Sequence, residues 1–354
     1  MLYQTENQHG GDVYGGGITL DFSANTNPLG TPPGVLEAVC RALPRLHRYP
    51  DPYCRRLVQA IAGHEQMPAS YILCGNGAAD LIYTYCAALR PRTAVELAPT
   101  FGEYGAGLAQ VGCRVAPYFL HQAENFDLDE RFLSFLEEKK PEVVFLCNPN
   151  NPTGRLIPLL LLEQILQYCA AQGARLFLDE CFLDLTEDGV SAKSLLAAHP
   201  ELLILKAFTK SYGMAGIRLG YCLCADNALL RRMAAASPPW NVSTLAQSAG
   251  VAALAERDFL QRTLSLVRTE RRWLTDNLTA LGFWVCPSHA NYLLFRGPLG
   301  LREGLLQQGI AIRGCGNYNG LGDGWYRIAV RPHGENEALI TAIRQFCKEK
   351  ALWQ

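Results

Sequence analysis

Residues 202–224 read LLILKAFTKSYGMAGIRLGYCLC. Two apolar runs of strand length flank a loop of small residues. Lys210 follows the first run, and Arg218 stands at the head of the second. Neither a lysine nor an arginine belongs near a core unless it is paired or put to chemical use. The surrounding sequence decides between those two.

From about residue 70 onward, short apolar runs alternate with helix-period segments. YILC (71–74) precedes a helix over 77–89, and TAVELA (93–98) precedes another. CRVAPYFL (113–120), EVVFLC (142–147) and ARLFLD (174–179) continue the series. Alternation of this kind predicts an α/β chain with a mostly parallel central sheet and helices on both faces. After Trp240 the character changes. One long helical stretch is expected from Thr244 to Leu281, then short strands in FWVC, NYLLFR, IAIRG and YRIAVR, and a last helix from Glu335. This is a smaller α+β unit, with which the first forty residues are expected to pack. The expected division is a large domain over 45–245, and a small domain over 1–44 and 246–354 with an N-terminal arm.

The bulk numbers fit an enzyme. Of 354 residues, 49% are hydrophobic and 18% charged, with a net charge of −1. Such a chain buries a sizeable core. No basic block marks a nucleic-acid partner. The thirteen cysteines are odd in number and scattered through apolar runs, without zinc spacing, so they read as reduced thiols of a cytoplasmic protein. The segment LIPLLLLEQILQYCAA (156–171) carries Pro158 and Glu163 and is too short to span a bilayer, so it reads as a buried helix and no membrane is implied.

In open sheets of this type ligands bind beyond the carboxyl ends of the strands. The polar residues at those ends are therefore informative. GNGAAD (75–80) is a glycine-rich strand-to-helix turn, whose backbone N–H groups suit a phosphate. NPNNPTG (148–154) reads equally as a plain turn. LDECF (178–182) ends a buried strand on Asp179 and Glu180, which need a cationic partner or donor; a protonated ring nitrogen would serve. Taken together, a phosphate cradle, an acid for a pyridinium, an asparagine for a ring hydroxyl and a lysine near an arginine describe pyridoxal 5'-phosphate. The lysine must be neutral to condense with the aldehyde, and burial and nearby cations lower its pKa. The arginine suits the phosphate.

With FTKSYGMAGIRLG, DECF and NPNNPTG in this order, the chain resembles fold-type I pyridoxal-phosphate enzymes of the class I/II aminotransferase superfamily over nearly its whole length. The resemblance implies that Lys210 is the Schiff-base lysine and proton shuttle, that Asp179 pairs with the pyridine nitrogen, and that Asn151 bonds the ring hydroxyl. It places Phe101 against the ring, and Gly77, Ala78, Thr209 and Arg218 around the phosphate. Tyr49 in RYPDP resembles a tyrosine that reaches the partner's site, which implies a homodimer. Arg327 matches an arginine that binds the substrate carboxylate. Phe182 stands where many relatives carry a tyrosine, and Ala207 where they often carry a hydroxyl.

Two branches share these features. Histidinol-phosphate aminotransferases share RYPD, the NPNNPTG loop and segments like PPWNVSTLAQ. Threonine-phosphate decarboxylases of cobalamin synthesis resemble the chain in these and also in HGG (9–11), LDFSANTNPLG (20–30), Phe182, IRGCGNYNGL (312–321) and YRIAVRPHGEN. The second resemblance leads. It implies conversion of L-threonine O-3-phosphate to (R)-1-amino-2-propanol O-2-phosphate. Either substrate carries a phosphomonoester and so requires a further cationic site. Arg313, Arg331 and His9 are the candidates, with Asn27 as a polar neighbour. Arg331 also reads as a surface ion pair, and His9 as an ordinary terminal residue. Arg313 is preferred.

Overall fold

The structure, a computed structural model, describes residues 9–350. Its strands begin with β1 (Leu20–Asp21), β2 (Ile72–Gly75), β3 (Thr93–Ala98), β4 (Arg114–Phe119), β5 (Val143–Cys147), β6 (Arg175–Asp179) and β7 (Leu202–Ala207). There follow β8 (Gly220–Cys224), β9 (Trp284–Val285), β10 (Tyr292–Arg296), β11 (Ile310–Ala311), β12 (Arg313–Gly314) and β13 (Trp325–Ala329). Seven of them form one sheet in the order β2-β8-β7-β6-β5-β3-β4. All its strands run one way except β8, which is antiparallel to both β2 and β7.

Burial on both faces explains the near-continuous apolar runs. In β5, Val144 and Leu146 enter one core cluster, while Val143, Phe145 and Cys147 enter the other. Alternation by two therefore serves two cores rather than one core and solvent. Each such side chain contributes about 1.5–3 kcal/mol on full burial. The segment read as a buried helix is one, Leu159–Gln172, with Leu162, Ile165 and Leu166 fully enclosed. All thirteen cysteines are free thiols.

The direction of β8 does the most for the site. Parallel strands β2, β3, β5, β6 and β7 all end at one edge of the sheet. Because β8 runs the other way, it begins at that edge, and Gly220 pairs with Gly75 on one side and Ala207 on the other. The loop between Lys210 and Arg218 therefore leaves the edge and returns to it. That is why a lysine and an arginine separated by eight residues share a location.

A second sheet, β12-β13-β10-β9, is antiparallel, and β1 pairs in parallel with β11. Phe22, Leu293, Phe295, Ile328 and Phe346 share a separate core here. Two expectations need correction. The helical stretch 244–281 is two helices, Thr244–Ala253 and Phe259–Ala280, and the first ends in a tightened turn in which the Ala255 and Glu256 N–H groups reach back three residues. Apolar periodicity runs through the break, so only packing reveals it. The helix Thr244–Ala253 packs through Gly250 on Leu57 and Leu219 and shares a core with the large sheet. The last helix starts at His333, after Pro332, with Glu335 in its first turn.

Gly220 has no room for a side chain: a Cβ there would stand 2.9 Å from the Gly77 carbonyl carbon, 3.0 Å from the Ala78 nitrogen and 3.1 Å from the Lys206 oxygen. All three are backbone, so none can step aside. Gly220→Ala is expected to lower stability by about 1–3 kcal/mol in urea denaturation. An unchanged midpoint would mean that this edge has room for a methyl group.

Candidate active site

At the edge where β2 ends, the chain turns into the helix Ala78–Leu89 through Gly77, whose φ is +87°. The Gly77 N–H closes a turn on the Gly75 carbonyl (2.9 Å), so the N–H groups from Ala78 onward remain for a ligand at the helix start. Asp80 locks the turn, its Oδ2 accepting from the Asn76 N–H (2.9 Å) and the Asn241 amide (2.7 Å). A Cβ on Gly77 would meet Arg218 Nη2 at 2.7 Å, so the guanidinium lies directly over the bare backbone. Arg218 is itself in the left-handed region (φ +60°), and its Nη1 donates to the Ala215 carbonyl at 3.1 Å. Among the described residues no carboxylate pairs with it. A glycine with a cation above it and a helix start beneath it is a cradle for a phosphate dianion.

Lys210 sits in the helical turn Phe208–Ser211 that follows β7. Burial first, then the Arg327 and Arg218 charges, brings its amine down to about 8. That amine makes no hydrogen bond or ion pair within the described residues. Its Nζ lies 5.5 Å from the centre of the Phe182 ring. Phe182 thus gives the amine an apolar wall. Thr209, next in the chain, is buried.

Asp179 ends β6. Its Oδ2 accepts from the Tyr104 hydroxyl (2.7 Å) and its Oδ1 from the Cys181 N–H (2.9 Å). Burial pushes its pKa up, against those hydrogen bonds and the nearby Lys210 charge. Phe101 packs edge-on against Tyr104 (5.6 Å). Phe101, Asp179 and Lys210 thus supply an aromatic face, a buried acid and an amine, the set of groups that a pyridinium aldehyde requires.

Arg327, on β13, crosses from the C-terminal sheet into this pocket. It is buried, and its Nη1 donates to Asn151 Oδ1 and, at 3.3 Å, to the Tyr318 hydroxyl. Its Nη2 donates to the Ser23 carbonyl (2.9 Å), while its Nε is buried without a partner. Asn151 is therefore committed through its oxygen, leaving its amide nitrogen for a ring hydroxyl. Arg313 lies 5.4 Å over the Tyr318 ring and donates to Asn317 Oδ1 (2.7 Å). Arg313, Ser23 and His9 also line a cavity of about 830 Å³ between the N-terminal arm and the C-terminal sheet.

The remaining sequence candidates divide. His9 Nε2 pairs with Glu103 (2.7 Å) and its ring lies 5.9 Å from Phe101, so it is held over the site rather than trailing from a terminus. Arg331 forms an ion pair with Glu335 (2.9 Å), which is its structural reading. Asn27 is held by the protein: its amide nitrogen donates to the Ser211 carbonyl (2.7 Å) and Thr263 Oγ1 (2.8 Å), and its oxygen accepts from the Leu29 N–H (2.8 Å). It braces the Lys210 turn and has no donor left for a substrate. Tyr49 is 78% exposed and stacks on Trp240 at 4.5 Å, outside this gathering of side chains.

Sequence reading missed several groups. Asn25, two residues before Asn27, is only 2% exposed, yet neither end of its amide has a partner. A buried unpaired amide is costly and marks a place for a ligand or water. Nothing in SANTNP separates one asparagine from the other. Lys206, inside the apolar run of β7, pairs with Asp184 (2.9 Å) and Glu65 (3.4 Å). Although burial pushes Glu65 up, Lys206, Tyr221 and Lys193 hold it at about 2. Asp184 also accepts from Ser211 Oγ (3.0 Å), which ties the Lys210 turn to this buried charge cluster. Glu180 faces away from the pocket, toward Ser191 (2.6 Å) and the Ala192 N–H (2.8 Å).

A family model described as aminotransferase class I and II matches residues 18–346. The threonine-phosphate decarboxylase of Salmonella typhimurium is 40% identical over 331 residues, 92% of this chain and 90% of its own length. A histidinol-phosphate aminotransferase from a Geobacillus species is 33% identical over 350 residues, 96% of this chain and 93% of its own. Among solved structures, the histidinol-phosphate aminotransferase from Clostridium acetobutylicum matches with a TM-score of 0.87 at 28% identity, covering 93% of this chain and 99% of that one.

An amine at about 8 gains its nucleophilic form as pH rises through that value. In cofactor-free protein, labelling of Lys210 by an amine-directed reagent, followed by peptide mass spectrometry, is expected to climb between about pH 7 and 9. Arg327→Met removes a cation that opposes protonation, so its profile moves to higher pH. A profile that stays put would detach Arg327 from the lysine's pocket.

Proposed function

The chain belongs to the class I and II aminotransferase family, whose members are pyridoxal-phosphate-dependent enzymes, and on that footing we propose that it decarboxylates L-threonine O-3-phosphate to (R)-1-amino-2-propanol O-2-phosphate. Its fold is that of the fold-type I pyridoxal-phosphate enzymes, mixed α/β around a mostly parallel sheet. We take that sheet and its helices through Ala253 as the cofactor-binding unit.

The observation that carries the reading is the group Arg313–Tyr318–Arg327. Arg218 accounts for the phosphate of a cofactor seated on Gly77 and Ala78. Two further guanidiniums then stand at the lysine pocket, and Arg327 has no carboxylate partner among the described residues. They suit a substrate with an anionic group at each end. Threonine phosphate has a carboxylate at one end and a phosphomonoester at the other.

The residues present fit the cofactor. Gly77, Ala78, Thr209 and Arg218 would hold its phosphate, Asp179 its ring nitrogen, Asn151 its ring hydroxyl, and Phe101 its face, with Lys210 at its aldehyde. When bound, it withdraws electrons from the substrate carbon at which a bond breaks. Arg327 and Arg313 grip the two anionic ends and so decide which substituent of Cα is presented for cleavage. The Phe182 ring gives the amine an apolar neighbour on one side. After CO2 leaves, Lys210 returns a proton to Cα. The unpaired amide of Asn25 adds a neutral hydrogen-bonding group close to Ser23 and Arg327. We further propose a homodimer, supported by the exposure of Leu46, Tyr49 and Tyr53, three large side chains in one short segment.

A second reading is favoured by the same two cations, because 2-oxoglutarate is also anionic at both ends. It is histidinol-phosphate aminotransferase, the activity for which relatives about as long as this chain are named. The two separate cleanly. Purified protein with O-phospho-L-threonine is expected to release CO2 and aminopropanol phosphate without any oxo acid, and Lys210→Ala to lose both the bound cofactor's visible absorption and the turnover. Conversion of histidinol phosphate only in the presence of 2-oxoglutarate, with no CO2 from phosphothreonine, would replace the proposal by its rival.

A further inference from the structure

Tyr318 lies in the loop between β12 and β13, whose Gly320 lies against Ala98 and Phe119 of the large sheet. The loop therefore spans from one sheet to the other, across the mouth of the lysine pocket. The Tyr318 ring is the surface over which Arg313 sits (5.4 Å), and its hydroxyl accepts from Arg327 Nη1 (3.3 Å). Burial raises its pKa, with the two arginines opposing, and the phenol stays protonated at neutral pH. Its oxygen is thus an acceptor to a cation while its own proton has no acceptor among the described residues. A donor placed between two guanidiniums, and not spent on the protein, is complementary to an anionic oxygen.

We propose that Tyr318 is a substrate-binding residue whose hydroxyl donates to an oxygen of the anion gripped by Arg327, and that it fixes the spacing of the two cationic sites. Arg313 is steered by the face of the ring and Arg327 by its edge, so one side chain sets where both substrate ends lie. The inference rests on the reading above only in requiring that the pocket accept an amino compound bearing an anionic group. The shared chemistry is an oxyanion, whether carboxylate or phosphate.

The test compares wild-type holoenzyme with Tyr318→Phe, which keeps the ring under Arg313 and deletes only the hydroxyl. Dissociation constants are measured by calorimetry for L-threonine, which offers a carboxylate, and for O-phosphoethanolamine, which offers a phosphomonoester. Loss of one charge-assisted hydrogen bond is expected to weaken one of them by about tenfold. A rise for threonine alone puts the hydroxyl on the carboxylate, and a rise for phosphoethanolamine alone puts it on the phosphate. The KM for phosphothreonine rises by the same factor, kcat changes less than about twofold, and the melting temperature holds. Tyr318→His, which restores a ring donor, regains part of the affinity. Unchanged constants for both ligands in a folded Phe variant overturn the proposal. These binding arms need no turnover, so absence of CO2 from the wild type would overturn the decarboxylase reading while leaving Tyr318 on trial by itself.

Discussion

Everything at the pocket depends on Gly220 lying between two strands at one edge of the large sheet. With β8 antiparallel, its first residue is hydrogen-bonded into the row where β2 and β7 end. The cradle at Gly77, the guanidinium of Arg218 and the turn bearing Lys210 are then neighbours by backbone geometry, before any side chain has chosen a rotamer. A parallel β8 would start at the far edge, about a strand length away.

Electrostatics supplies the second layer. Lys210, Arg218 and Arg327 are brought together with Asp179 as the nearby acid and, among the described residues, no ion pair to any of the three, an arrangement that costs free energy in the unliganded chain and favours anions when they arrive. The charge cluster on the other side of β7 is built on the opposite plan. There Lys206 is surrounded by Asp184, Glu65 and Glu180, and it stays charged despite burial because three carboxyl groups outweigh desolvation. Two lysines four residues apart thus serve opposite ends: one is kept reactive, the other anchors the turn through Asp184 and Ser211.

The large sheet was legible in the sequence because its inner strands are apolar runs bounded by turn residues, and in β5, β7 and β8 burial on both faces leaves no ambiguity of face. The residues at the strand ends were legible for a related reason, since a polar residue immediately after five apolar ones has few structural uses. What escaped depended on tertiary placement. The break between the helices 244–253 and 259–280 carries no glycine or proline. The choice between Asn25 and Asn27 turns on which amide finds partners from Ser211 and Thr263, far away in the chain. Lys206 was hidden inside a hydrophobic run, and Tyr104 and Tyr318 looked like ordinary aromatics until their hydroxyls were seen against Asp179 and Arg327.

The pairing of β1 with β11 joins Leu20 to Ile310, and the Ser23 carbonyl just beyond it receives Arg327. These contacts close some of the longest loops in the molecule. During synthesis, the segment around Phe22 must wait with its apolar side chains uncovered until nearly the whole chain has left the ribosome. The sheet that carries the lysine can be complete well before then, so the catalytic edge is assembled early and roofed last.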